Sequence, residues 1–394
     1  MSLSRRAFFR TAGAAGVGFA ATDLITARGR EAFAATLTQA PALKTTSTTS
    51  KLIKIMANEN AYGPGPAALD AIRALVGPAS GRYPMNQPEL ESAIAKHFGA
   101  LGVAPKNVLV GTGSTEVIKA AVHAFTGPTR ALVAAMPTWE DPGRTARSLK
   151  APVKDIAVDS DLRIDIAATA AAAKGAGLVF FCNPNNPTGT VHGNAAVTKF
   201  VEDVLAASPQ TTILLDEAYY DFVVDPTYAT GIPLAMKYPR VIVTRTFSKV
   251  HGMAGLRVGY AIGHPDTLKK IASRQTSDMN VISMAAASAS IQDSAHIAKQ
   301  RDTIRKSLEE TMQVFKDAGC RVADSQANFL LADVKRPTKE FRDACEKQGV
   351  IIGRDFPPLA TWARVSIGTT EEMRIANEVF RKILAGGKTT TASR

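Results

Sequence analysis

Arg240-Val241-Ile242-Val243 leads into Thr246-Phe247-Ser248-Lys249, and Arg257 follows in the small-residue segment Gly252-Met253-Ala254-Gly255-Leu256-Arg257-Val258-Gly259-Tyr260. An apolar run that stops at hydroxyl-bearing residues reads as a strand whose end opens onto a polar site. A lysine there, walled by hydroxyls and glycines rather than carboxylates, has room to approach a carbonyl carbon. Its surroundings depress its pKa toward nucleophilicity, which suits Schiff-base chemistry. The arginine supplies fixed positive charge for a phosphate. A lysine taken alone reads as a solvated surface charge, so the assignment rests on its company.

That company is three further polar clusters upstream. Gly111-Thr112-Gly113-Ser114-Thr115-Glu116 comes first, then Asn183-Pro184-Asn185-Asn186-Pro187-Thr188-Gly189, then Asp216-Glu217-Ala218-Tyr219 behind the run Thr211-Thr212-Ile213-Leu214-Leu215. Each closes a strand-like run, and together they imply one shared site. Gly111-x-Gly113 lacks the third glycine of a dinucleotide fingerprint, and no Gly-Lys-Ser/Thr follows to make a nucleotide P-loop.

In this order, Asn-Asn-Pro-Thr-Gly, Asp-x-x-Tyr, Ser-Lys and Gly-x-Arg resemble the fold-type I pyridoxal-phosphate aminotransferases of class I/II. Within them the chain is most similar to the histidinol-phosphate aminotransferase group, over roughly residues 52 to 385. The resemblance implies an α/β fold, with a three-layer large domain around a mostly parallel seven-stranded sheet and a smaller α+β domain. It implies pyridoxal 5'-phosphate as cofactor, Lys249 as the amine that binds it and later moves the substrate α-proton, and Asp216 as partner of the pyridine nitrogen. Asn186 and Tyr219 fall where the phenolic oxygen is bound, and Trp139 where an aromatic ring stacks on the pyridine. Gly113, Ser114, Thr115, Thr246, Ser248 and Arg257 fall where the phosphate is held. Arg364, in Trp362-Ala363-Arg364-Val365-Ser366, matches the residue that grips the substrate α-carboxylate; Arg354 or Tyr62 is expected to sample the distal part, on the strength of the run Arg354-Asp355-Phe356, which differs from the family's. Tyr83 matches a tyrosine that reaches the neighbouring subunit's phosphate, so a homodimer with shared sites is expected.

Outside the resemblance, each of these residues has a plainer role: Asp216 as a turn or cap, Ser114 as an N-cap, Trp139 as core, Arg364 as a strand-edge surface charge. The segment from Ser114 to Ala124 carries helical apolar spacing at Val117, Ile118, Ala121 and Val122, so its free amides are expected to face an anion.

At 394 residues and 45% hydrophobic content the chain is long enough for two lobes. The expected divisions are a leader over 1–34, an arm over 35–50, an N-terminal part of the small domain over 51–80, the large domain over 81–290, the rest of the small domain over 291–385, and a tail over 386–394. The net charge of +12 is scattered without a basic helix or aromatic-interleaved patch, so nucleic acid is not expected as a partner. Cys182, Cys320 and Cys345 show no CxxC spacing and read as buried fillers. Six histidines lack ligand spacing, so no metal is expected.

Ser4-Arg5-Arg6-Ala7-Phe8-Phe9-Arg10, the uncharged-to-weakly-apolar stretch Thr11 to Thr22 and Ala32-Phe33-Ala34 resemble a twin-arginine signal peptide. The expected location is exported, periplasmic, with the export machinery as partner of the precursor. The apolar run is too short and Gly-rich for a stable membrane anchor; a basic leader on a cytoplasmic enzyme is the alternative. The small-molecule partners expected are an amino donor and a 2-oxo-acid acceptor. Rival functions on the same residues are a pyridoxal-phosphate decarboxylase or β-lyase, or a non-catalytic periplasmic binding protein, which would need no Schiff-base lysine.

Overall fold

The computed structural model describes residues 52–83 and 89–386. Its centre is a seven-stranded sheet in the order β2-β8-β7-β6-β5-β3-β4. The strands are β2 (Val108–Gly111), β3 (Leu132–Met136), β4 (Val153–Ala157), β5 (Leu178–Cys182), β6 (Thr212–Asp216), β7 (Val241–Thr246) and β8 (Gly259–Gly263), β1 being the short Ile53–Ile55 strand outside this sheet. The neighbours from β7 through β4 pair in parallel, and β8 runs antiparallel to both β7 and β2. The expected mostly parallel seven-stranded α/β architecture is what forms.

The central strands Leu178–Cys182, Thr212–Asp216 and Val241–Thr246 are buried at every position. That burial explains why their sequences are continuous apolar runs rather than alternating ones: helices cover both faces of the sheet. On one face Phe181, Phe200, Val201 and Phe247 pack together. On the other, the helix Ser114–Phe125 sets Val117, Ile118, Ala121 and Val122 against Leu132, Phe180 and Leu214. At about 25 cal/mol per Å² of apolar surface removed from water, these layers dominate the stability of the lobe.

The smaller lobe is an antiparallel sheet in the order β12-β10-β9 together with a parallel pair. Its strands are β9 (Arg321–Val322), β10 (Phe329–Asp333), β11 (Val350–Ile352) and β12 (Trp362–Ser366). Strand β1 pairs with β11, Ile53 opposite Val350, so Ile53–Ile55 is built into the C-terminal lobe. Phe315, Phe341 and Phe380 form the aromatic centre of this lobe. The long helix Ser294–Asp317 is capped by Asp293, whose side chain accepts from the His296 amide at 3.2 Å.

The segment 51–80 does not act as one piece. Strand β1 joins the small-lobe sheet, but the helix Pro66–Leu75 buries Ala68 in the large-lobe core with Ile94, Ala286 and Ala287. The switch falls in the Asn58-to-Gly65 loop. The leader, the arm and the last eight residues lie outside the described residues.

Candidate active site

The register of the large sheet assembles the site. Cys182 lies opposite Asp216, and Asp216 opposite Thr244. Next to them Thr246 lies opposite Gly259, and Gly259 opposite Gly111. The polar clusters that close separate apolar runs thus stand side by side along the carboxyl ends of the parallel strands, where open α/β sheets bind ligands.

The helix Ser114–Phe125 starts directly beyond β2, with Gly113 before it at φ 75°, a left-handed conformation that favours glycine. A Cβ on Gly113 would stand 2.3 Å from the Arg257 guanidinium, and one on Gly259 would stand 2.0 Å from the Ser114 amide nitrogen. Glycine at both places lets the helix start, strand β8 and Arg257 close into one cradle. Ser248 Oγ accepts from Arg257 at 3.3 Å, and the Ser248 amide donates to Thr246 Oγ1 at 3.0 Å.

A cavity of about 410 Å³ opens above this edge. Ser114, Thr115, Trp139, Asn186, Asp216, Tyr219, Thr246, Ser248, Lys249, Arg257, Arg354 and Arg364 all line it. Gly113 borders it through Arg257. Two expected residues stand apart. Tyr62 hydrogen-bonds Thr370 through its hydroxyl at 2.9 Å, and Tyr83 is 84% exposed. A smaller cavity of about 270 Å³ behind Thr246, lined by residues such as Tyr220, Arg245 and His251, includes neither Lys249 nor Asp216 nor Arg364.

The electrostatics separate three roles. Burial, then the positive charge of Arg364, lowers the Lys249 amine to about 8, which raises its neutral, nucleophilic fraction near neutrality. Burial raises the Asp216 carboxyl to about 6, against the hydrogen bond from Thr244 Oγ1 at 3.0 Å and the Cys182 thiol 3.7 Å away. Burial pulls Arg364 down to about 10 and pushes the Tyr219 phenol up.

Several residues of the site were not expected from the sequence. The Asn58 carbonyl accepts from Lys249 Nζ at 2.9 Å, and Asn58 Nδ2 donates to the Tyr219 hydroxyl at 3.1 Å. Cys182, read as a filler, stands beside Asp216; Cys345 is buried, and Cys320 is only half-buried. The signal for Asn58 was its place in the polar loop Asn58-Glu59-Asn60; nothing local marks Thr244 or Cys182.

The residues fit pyridoxal phosphate on their own chemistry. Among the described residues no cation pairs with the buried Asp216 carboxylate, and a buried carboxylate is costly unless a cation completes it; a protonated pyridine nitrogen would do so. At the other end, a helix start, the four hydroxyl-bearing residues Ser114, Thr115, Thr246 and Ser248, and Arg257 provide for a phosphate.

The aminotransferase class I and II family matches residues 50–380. Histidinol-phosphate aminotransferase of Moorella thermoacetica is 34% identical over 351 residues, covering 85% of this chain and 86% of its own length. The enzyme of the same name from Bacillus subtilis is 33% identical over 342 residues, covering 85% and 91%. Among solved structures, histidinol-phosphate aminotransferase from Sinorhizobium meliloti in complex with pyridoxal-5'-phosphate is similar with a TM-score of 0.77 at 26% identity, covering 85% of this chain and 91% of that one. The chain belongs to the class I and II aminotransferases and is a pyridoxal-phosphate-dependent transaminase.

Proposed function

We propose that the enzyme moves an amino group between an amino acid and a 2-oxo acid in two half-reactions that use one pocket. The observation that carries this reading is Arg364: the residue is 7% exposed and lines the cavity with Lys249, its Nη atoms donate to Asn186 Oδ1 and the Met56 carbonyl, and its Nε has no hydrogen-bond partner among the described residues. A buried, under-satisfied guanidinium beside a nucleophilic amine suits a substrate carboxylate next to the reacting carbon.

Bound in the cavity, pyridoxal phosphate supplies an electron sink for the charge left when the substrate's α-proton is removed. Lys249 Nζ would hold the cofactor and, when free of it, would be the base that takes and returns the substrate's α-proton. Asp216, whose carboxylate Thr244 holds in place, would face the ring nitrogen; Tyr219 and Asn186 would bind the phenolic oxygen; Ser114, Thr115, Thr246, Ser248 and Arg257 would bind the phosphate, and Trp139 would pack on the ring. With Arg364 on the carboxylate, the hydrogen is the α-substituent aligned for cleavage, which favours α-proton chemistry over decarboxylation; β-elimination starts from the same proton removal and needs a leaving group on the β-carbon, which glutamate lacks.

Incubating the holoenzyme with glutamate and measuring 2-oxoglutarate, carbon dioxide and ammonia tests the assignment. Stoichiometric 2-oxoglutarate supports it; carbon dioxide or ammonia as the main product overturns it. Histidinol phosphate, the substrate in the relatives' names, belongs in the same screen as an amine without a carboxylate.

Two further parts of the proposal concern assembly and location. Tyr83, exposed in the single chain, is assigned to the phosphate site of a second copy, making the working form a homodimer. Arg5-Arg6 and the stretch after it are assigned to export through a route that carries folded proteins, with the cofactor bound beforehand. Sedimentation of the holoenzyme, and fractionation of cells carrying an Arg5→Lys/Arg6→Lys variant, test these. A monomeric active enzyme, or an unaltered location of the variant, overturns the respective assignment.

A further inference from the structure

Arg354 enters the cavity from the loop after β11, and its charge is already taken. Its Nη2 is 2.8 Å from the Glu140 carboxylate, and its Nη1 donates to the Asp355 carbonyl at 2.9 Å. The guanidinium lies over the Phe356 ring at 4.4 Å, and Arg364 lies over the same ring at 4.7 Å. Two guanidiniums therefore share one buried aromatic ring, one inside the cavity and one at its rim. The neighbouring charges are committed elsewhere. Arg144 pairs with Asp141, and Asp355 faces Arg342 at 3.2 Å.

We propose that Glu140 is a specificity-determining residue. It neutralises Arg354 when the far end of the substrate is uncharged, and yields Arg354 to a second carboxylate when the substrate is a dicarboxylic amino or oxo acid. The inference rests on the reading above, in which Arg364 holds the α-carboxylate. An enzyme with two half-reactions must seat two unlike side chains in one pocket. A permanent free cation would bind dicarboxylic acids well and strand an unpaired charge against neutral ones; a releasable internal counter-ion serves both. The pair is built for release, since the two side chains are 51% and 41% exposed, and exposed pairs are weak. The Arg245 and Glu217 pair, at 5% and 4%, could not exchange in this way.

The test measures binding, not turnover. Glutarate and valerate, unreactive acids of equal chain length with two carboxylates and one, are titrated calorimetrically into wild-type and Glu140→Gln holoenzyme. Glu140→Gln is expected to tighten glutarate about three- to fivefold, the scale of an exposed ion pair, and to change valerate by less than about twofold. In an Arg354→Gln background the same substitution is expected to make no difference to glutarate. Equal tightening of both acids, an unchanged glutarate affinity, or a Glu140→Gln effect that persists without Arg354 overturns the proposal. The underlying reading has its own check: an Arg364→Lys holoenzyme that binds valerate as tightly as wild type overturns the Arg364 assignment, whatever Glu140 does.

Discussion

Lys249 Nζ donates to the backbone carbonyl of Asn58 at 2.9 Å, across 191 positions of sequence. Asn58 itself sits at φ 55°, and its side chain is held between the Tyr219 hydroxyl at 3.1 Å and Ser366 Oγ at 2.7 Å. The amine is thus aimed by a loop whose own position is set by both lobes. The neutral fraction of Lys249 should rise with pH around about 8, far below an ordinary lysine. Labelling the apoprotein with an amine reagent and following the Lys249 peptide by mass spectrometry should give that midpoint; one above pH 10 refutes the burial argument. Because the folded amine binds fewer protons than the unfolded one between about 8 and 10.5, apoprotein stability should increase with pH across that window.

Replacing Lys249 by Ala removes both the attachment point and the base. Turnover should fall by roughly 10⁴ or more. Borohydride should no longer fix the cofactor to the protein, although the phosphate cradle remains. Retention of a borohydride-fixed cofactor in Lys249→Ala would place the attachment elsewhere.

Asp216 is raised to about 6 by burial in the apoprotein. Its folded form holds a proton that the unfolded chain has lost between about 3.8 and 6, so its contribution to apoprotein stability is present at low pH and declines as pH rises through that range. Asp216→Asn should flatten this part of the urea-midpoint profile while lowering turnover by about 10² or more, the scale of losing one preorganised electrostatic partner. A variant with full activity would remove Asp216 from the chemistry.

Arg364→Lys keeps the charge and loses the planar fork. The kcat/KM for α-amino acids should drop by about 10², equivalent to roughly 3 kcal/mol. Amines without a carboxylate should be affected far less. An equal loss for both classes would make the residue structural.

The buried pair of Arg245 and Glu217, with Nη2 to Oε2 at 2.8 Å, holds the turn after β6. Glu217 also accepts from the Gly231 amide at 2.5 Å and from Thr230 Oγ1 at 2.8 Å, and Arg245 lies 3.5 Å over Tyr220. Glu217→Ala leaves a buried guanidinium unpaired and should cost about 3–5 kcal/mol in denaturant unfolding. A loss under 1 kcal/mol would show that Arg245 finds another partner or water.

Sequence alone determined the parts of this protein whose chemistry is local. Continuous apolar runs marked the buried strands, because strands covered on both faces have no polar side to alternate with. Hydroxyls, glycines, Asp216, Lys249 and Arg257 closing those runs marked the cavity edge, because in a parallel sheet such ends gather on one side. Tertiary structure alone decided what depends on partners far apart in the chain. The acceptor for Lys249 is a backbone carbonyl, a group every residue carries, so only the placement of the Asn58 loop singles it out. Cys182 and Thr244 become neighbours of Asp216 through strand register, which residue identity does not specify. The Glu140 and Arg354 pair joins the two lobes across more than two hundred residues, and Tyr62, in the expected loop, was carried to Thr370 instead of the cavity. Long-range contacts of this kind are set by how the two cores pack, a property of the whole chain rather than of any segment.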